Sequence, residues 1–151
     1  MSPSAFQFRF QKVLDLREQQ QRALEIELGR QDKAVLEAGA EVTRWEAART
    51  ESLHALAAAR RVADLQEAGA HTGYLKHVRG RIERARAALA EAQRQREAVR
   101  RRLERVLQSC KMLETYRDRL EHEFMATQEK AEERIIELHT MHQFHQAKRA
   151  Q

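Results

Sequence analysis

Apolar side chains recur along this chain at alternating steps of three and four, the spacing that places them on one stripe of a helix that supercoils with a partner. Up to about Ala63 the stripe has two columns. One is Leu14, Gln21, Leu28, Val35, Val42, Arg49, Leu56 and Ala63. The other is Phe10, Arg17, Leu24, Gln31, Ala38, Trp45, Ser52 and Ala59. Eleven of these sixteen are apolar, enough to hold a seam. The second half is more regular. Its columns are Ile82, Leu89, Arg96, Leu103, Cys110, Arg117, Phe124, Ala131, Leu138, His145, and Val78, Ala85, Ala92, Val99, Val106, Leu113, Leu120, Thr127, Arg134, Met141. Fifteen of these twenty are apolar and the spacing never stutters. A strict 3.5-residue period over such a length implies a left-handed supercoil.

Between the halves the pattern lapses at Gln66–Gly73, the only place where two glycines fall within five residues. This segment reads as a turn, with Gly69 ending one helix and Thr72 capping the next. The expected fold is therefore all-α: one long antiparallel two-stranded coiled-coil hairpin over residues 1–151. Helix one runs over about 5–67, the turn over about 68–73, and helix two over about 74–145. Ser4 can cap helix one, with Gln7 completing a capping box and Pro3 at the entry. The alternative is one unbroken helix of about 140 residues in a parallel dimer.

Register arithmetic favours the hairpin. Facing residues must have numbers that total 141, or 141 plus or minus a multiple of seven. A total of 141 centres the turn between Ala70 and His71. It places Val42 against Val99, Leu56 against Ala85, Ala59 against Ile82, Trp45 against Arg96 and Arg17 against Phe124. The last two are cation–π pairs, worth roughly 0.5–2 kcal/mol each. The same register sets Phe6 against Ile135, so residues from about His139 onward have no partner and form a candidate docking segment.

Composition agrees. Ala, Arg, Glu and Gln supply over half the 151 residues, and there is one proline. That is the signature of long helix or coiled coil, not of sheets or disulfide scaffolds. The lone Cys110 excludes an internal disulfide and suits a reducing compartment. No apolar run approaches the roughly 20 residues that cross a bilayer, and no signal peptide is evident, so a soluble cytoplasmic protein is expected. The net charge of +5 is uneven. Residues 76–119 hold 14 basic and 6 acidic side chains. That basic stretch can suit nucleic acid, an acidic protein or anionic lipid, or be a solvated arginine-rich face. It carries no base-reading device, so no nucleic acid partner is expected.

Nothing here supports catalysis. There is no Gly-rich phosphate loop and no nucleophile elbow, so we expect no enzyme, no cofactor and no small-molecule ligand. His139, His142 and His145 recur every three residues but sweep about 200° around a helix, so all three cannot easily converge on a metal. Cys110 sits on the seam as a small apolar group. Tyr74, Leu75 and Val78 are expected at an exposed tip, where they either cap the turn or dock a partner.

The opening Phe6-Gln7-Phe8-Arg9-Phe10-Gln11-Lys12-Val13-Leu14-Asp15-Leu16-Arg17-Glu18 resembles the start of the flagellar type III export protein family FliJ. Similar features are Tyr74-Leu75 and Val78 opening helix two, then Lys111, Leu113-Glu114, Tyr116-Arg117 and Arg119, then Glu132-Glu133. The likeness covers nearly the whole chain. It implies a hairpin that acts as the central stalk of a rotary ATPase does. The end carrying both termini would enter the hexameric flagellar export ATPase ring. The tip would contact the export-gate membrane protein, and the protein would escort export chaperones on the cytoplasmic side of the inner membrane at the flagellar base. Register and resemblance together assign Phe10, Lys12, Arg17, Arg117 and Arg119 to the ring, and Tyr74, Leu75 and Val78 to the gate. The injectisome equivalent, a general coiled-coil adaptor and a basic nucleic-acid-binding arm are the alternatives.

Overall fold

The computed structural model describes residues 5–150. Pro3 and Ser4, and with them the capping box expected at Ser4, lie outside the described residues. The fold is an all-α hairpin of two long helices, α1 (Gln11–Arg61) and α2 (Leu65–Arg149). The heptad seam is its core. Among the described residues, ten of the eleven that are buried lie on the columns read from the sequence: Leu14, Ser52, Leu56, Ala59, Val78, Ile82, Ala85, Val99, Leu103 and Cys110. Phe8 is the exception. Burying a narrow stripe is how so polar a chain offsets its chain entropy.

The turn is not at residues 68–73. It is the three residues Val62, Ala63 and Asp64, and Gly69 and Gly73 sit inside α2. Local hydrogen bonding explains the choice. The Asp64 amide donates to the Ala59 carbonyl at 3.0 Å and the Ala63 amide to the Arg60 carbonyl at 3.3 Å. That is the Schellman pattern, and Ala63 takes the left-handed position with φ 57°. Asp64 then caps α2, its Oδ1 accepting from the Glu67 amide at 2.9 Å. Arg60 and Arg61 close α1 and Glu67 opens α2, so the charges at each end suit the helix dipoles. Two helical glycines cost about 1 kcal/mol each. The capped turn and the seam outweigh that.

The chain forms two compact units. The first joins residues 20–105 around the turn. Its cross-helix ion pairs are Glu46 with Arg86 at 2.6 Å, Glu27 with Arg102 at 3.1 Å and Asp32 with Arg96 at 3.9 Å. The residue numbers of these pairs total 128 to 132, which fits a register total of 127 and not 141. The register has moved by two heptads, a shift that leaves every seam column facing a seam column. Val42 therefore lies opposite Ala85 instead of Val99. Trp45 does not meet Arg96. Its ring lies 4.8 Å from the Arg81 guanidinium and 5.1 Å from that of Arg44, and its Nε1 donates to Glu41 at 2.7 Å.

The second unit joins residues up to Gln19 with Val106 onward. Here residues 5–10 are not helical, which corrects the expected start near residue 5. The aromatic run explains the delay. Phe6 packs on Phe124 with ring centres 5.7 Å apart, and Phe8 packs on Tyr116 at 6.1 Å. These contacts replace the expected pairs of Phe6 with Ile135 and Arg17 with Phe124. They suit the same two-heptad shift. The unpaired end of α2 is accordingly longer than expected: every residue from Glu129 to Ala150 is exposed, and α2 runs on to Arg149 rather than stopping near 145.

Candidate functional site

The residues assigned to a docking role fall into two groups. In the unit built from residues 5–19 and 106–150, the N-terminal phenylalanines and one stretch of α2 make an aromatic and cationic cluster. Phe8 is buried at its centre. Its ring meets Phe10 at 6.0 Å and Tyr116 at 6.1 Å, and Phe10 meets Tyr116 at 6.2 Å. Cations cover this surface. The Arg9 guanidinium lies 5.6 Å from the Phe10 ring and that of Arg119 5.2 Å from the Tyr116 ring. Such stacking holds a charged group against an apolar floor while leaving it accessible.

Two shallow grooves flank the rings. One, of about 830 Å³, is lined by the Phe6–Arg9 segment, Gln11, Lys12, Arg117 and Glu121. The other, of about 700 Å³, lies along α2 between Gln108 and Arg119 and includes Lys111, Met112 and Tyr116. Lys12 and Arg117 thus line the first groove, and Phe10 and Arg119 both meet the Tyr116 ring. Arg17 sits elsewhere, next to Cys110 on the seam. Cys110 is buried, and desolvation pushes its thiol pKa upward, with Glu114 and Glu18 adding to the rise and Arg17 opposing it. A thiol so placed is a packing group and a poor nucleophile. The sequence reading passed over Arg9 and Phe8 as site residues. The alternation of Phe6, Phe8 and Phe10 was the available signal, since it breaks the heptad rule just ahead of α1.

The second group is Tyr74, Leu75 and Val78. With the turn at Val62–Asp64, none of them is at the tip. Val78 is fully buried on the seam, so it cannot contact a partner while the fold persists. That corrects its assignment to a docking face. Tyr74 is 45% exposed and its ring stacks at 6.2 Å on His77. Leu75 is half-buried and lines a groove of about 570 Å³ with Leu53 and Ile82 as its floor. Arg49, Lys76, Arg79 and Arg86 rim that groove against a single carboxylate, Glu83. The apolar residues at the turn itself are Val62 and Leu65, 74% and 86% exposed.

The basic stretch of α2 is laced with carboxylates. Arg94 pairs with Glu91 at 2.8 Å, Arg101 with Glu97 at 3.3 Å and Arg100 with Glu104 at 3.4 Å. The hydrogen bond from Arg94 holds the Glu91 carboxyl below its ordinary pKa and raises that of the guanidinium in turn. Among the described residues no group of three or more His, Cys, Asp and Glu is placed to hold a metal ion, the three C-terminal histidines included. No helix of the described residues is long and apolar enough to cross a membrane.

Comparison with protein-family models, with curated proteins and with solved structures finds no match for this chain.

Proposed function

We propose that this protein is a component of the bacterial flagellar type III export apparatus: a coiled-coil stalk that engages the hexameric export ATPase ring, promotes its assembly or turnover, meets the export gate and escorts export chaperones. One observation carries the reading. The phenylalanine run that resembles the FliJ opening is gathered with Tyr116, Arg117 and Arg119 into one aromatic and cationic surface. Aromatic rings with stacked arginines are the side chains over-represented in the energetic centres of protein interfaces. A seam that holds the two strands rigid suits a part that must present one asymmetric surface to six identical subunits. The ring-facing residues are Phe10, Lys12, Arg117 and Arg119, with Arg9 beside them. The gate-facing surface is the groove beside Leu75 and Tyr74, whose cationic rim favours an acidic partner segment.

The test is ring assembly by a purified flagellar export ATPase, read by sedimentation and by ATP hydrolysis. Adding the protein is expected to raise both. Phe10→Ala with Arg117→Glu is expected to abolish the effect while leaving helicity intact. Stimulation that survives the double substitution, or no stimulation at all, reduces the protein to a general coiled-coil adaptor. Association in the nucleus-free bacterial cytoplasm, at the inner face of the membrane, belongs to the same proposal.

A further inference from the structure

Every residue of α2 from Glu129 to Arg149 is exposed among the described residues, yet this end is rich in large apolar groups. Ile135, Ile136, Leu138, Met141 and Phe144 are each 58–67% exposed, within ten consecutive positions. A monomer gains nothing by showing them to water, and a helix end without tertiary support is marginal. The charge of the segment is divided. Residues 129–137 hold four glutamates against Lys130 and Arg134. Residues 138–149 hold no carboxylate, and carry Lys148, Arg149 and the three histidines.

We infer that this segment is a self-association site: two copies of the chain pair through residues 129–149, antiparallel. The charge division selects both the partner and the direction. Laid antiparallel, the acidic half of each copy meets the basic half of the other, twice over. Laid parallel, like meets like, which is destabilising. The heptad seam supports the same pairing. Crossing near Thr140 sets Leu138 against the Met141 of the other copy, with Ile135 and Phe144 alongside, over a contact about 30 Å long. A lipid surface fits poorly. Ile135 and Phe144 lie about 180° apart around the helix and glutamates interrupt the stripe, whereas interfacial helices need one clean apolar face. The inference stands apart from the proposed function, because it uses only the segment beyond the paired seam.

The experiment uses the full chain. Sedimentation equilibrium is expected to give a mass approaching twice 17.7 kDa as concentration rises. Leu138→Glu with Met141→Glu is expected to raise the dissociation constant at least tenfold with unchanged helicity. Glu129→Lys with Glu132→Lys should weaken pairing in the same assay, and adding Lys148→Glu and Arg149→Glu should restore it. In a Cys110→Ala background, Arg134→Cys with His145→Cys, which that crossing sets face to face, should form interchain disulfides and Ala131→Cys should not. A monomer at all concentrations overturns the inference, as does a dimer indifferent to Leu138 and Met141. Efficient Ala131→Cys crosslinking overturns the antiparallel arrangement, and capture of a monomer by anionic vesicles shows a lipid-binding end instead.

Discussion

Replacing Gly69 and Gly73 by alanine tests where the chain turns. Both glycines lie inside α2, and neither has positive φ. A Cβ added at either meets no atom within 4 Å. Substitution therefore brings no steric cost and removes the conformational freedom that glycine gives the unfolded chain. Each change should stabilise by about 1 kcal/mol. Together they should add about 2 kcal/mol, or roughly 4–8 °C in Tm for a chain of this size. The assay is urea denaturation followed by circular dichroism at 222 nm, with the midpoint read at constant slope. Had the turn been built on Gly69 in a left-handed conformation, alanine there would cost about 1–2 kcal/mol. A loss of stability in the double variant would thus refute the turn at Val62–Asp64. Ala63→Gly is the companion test. Ala63 occupies the position that glycine favours, so the change should stabilise, by less than about 1.5 kcal/mol once the added unfolded-state entropy is subtracted.

Further expectations follow from the seam. Val78→Ala should cost about 2 kcal/mol in the same denaturation assay because the side chain is fully buried, while Tyr74→Ala should cost well under half of that. Ser52 Oγ is buried without a hydrogen-bond partner among the described residues, so Ser52→Ala should stabilise by about 1 kcal/mol. In a Cys110→Ala chain, cysteines at positions 42 and 85 should crosslink within one molecule, whereas cysteines at 42 and 99 should not, as judged by non-reducing electrophoresis. Because the Cys110 pKa is raised in the folded state, its stability contribution is complete below the unfolded thiol pKa and is lost as pH rises through the folded value. Native protein at pH 8 should then react with a thiol reagent far more slowly than urea-unfolded protein.

Heptad reading located almost the whole core, because burial in a two-helix fold depends on which face a residue occupies and little else. Leu14, Val78, Ile82 and Val99 are buried for that reason alone. The position of the turn was illegible on the same evidence. Registers two heptads apart bury the same columns, so periodicity cannot rank them. The deciding features are local: the Asp64 cap with Glu67 three residues on, and the meeting of Phe6 and Phe8 with Phe124 and Tyr116. Gly69 and Gly73 drew the turn toward themselves because paired glycines usually mark chain reversals, yet a helix secured by packing on its neighbour tolerates them. The misplaced turn then carried Val78 to a surface it does not occupy. Phe10 and Lys12 meet the Tyr116–Arg119 stretch because of the shift: a total of 127 sets Arg117 against Phe10, whereas a total of 141 sets it against Leu24, about 20 Å further along α1. Arg9 and Phe8 escaped notice because they precede the helical repeat.

The left-handed alanine at position 63 has a consequence for how this molecule can vary. A seam that repeats every seven residues accepts the bend at any whole-heptad step, and only the few side chains around the bend choose among them. Removing one heptad from each strand beside Val62–Asp64 would shorten each by about 10 Å without rotating any remaining surface. The reach of the turn beyond the rest of the hairpin is thereby adjustable without altering the surfaces further along the two helices.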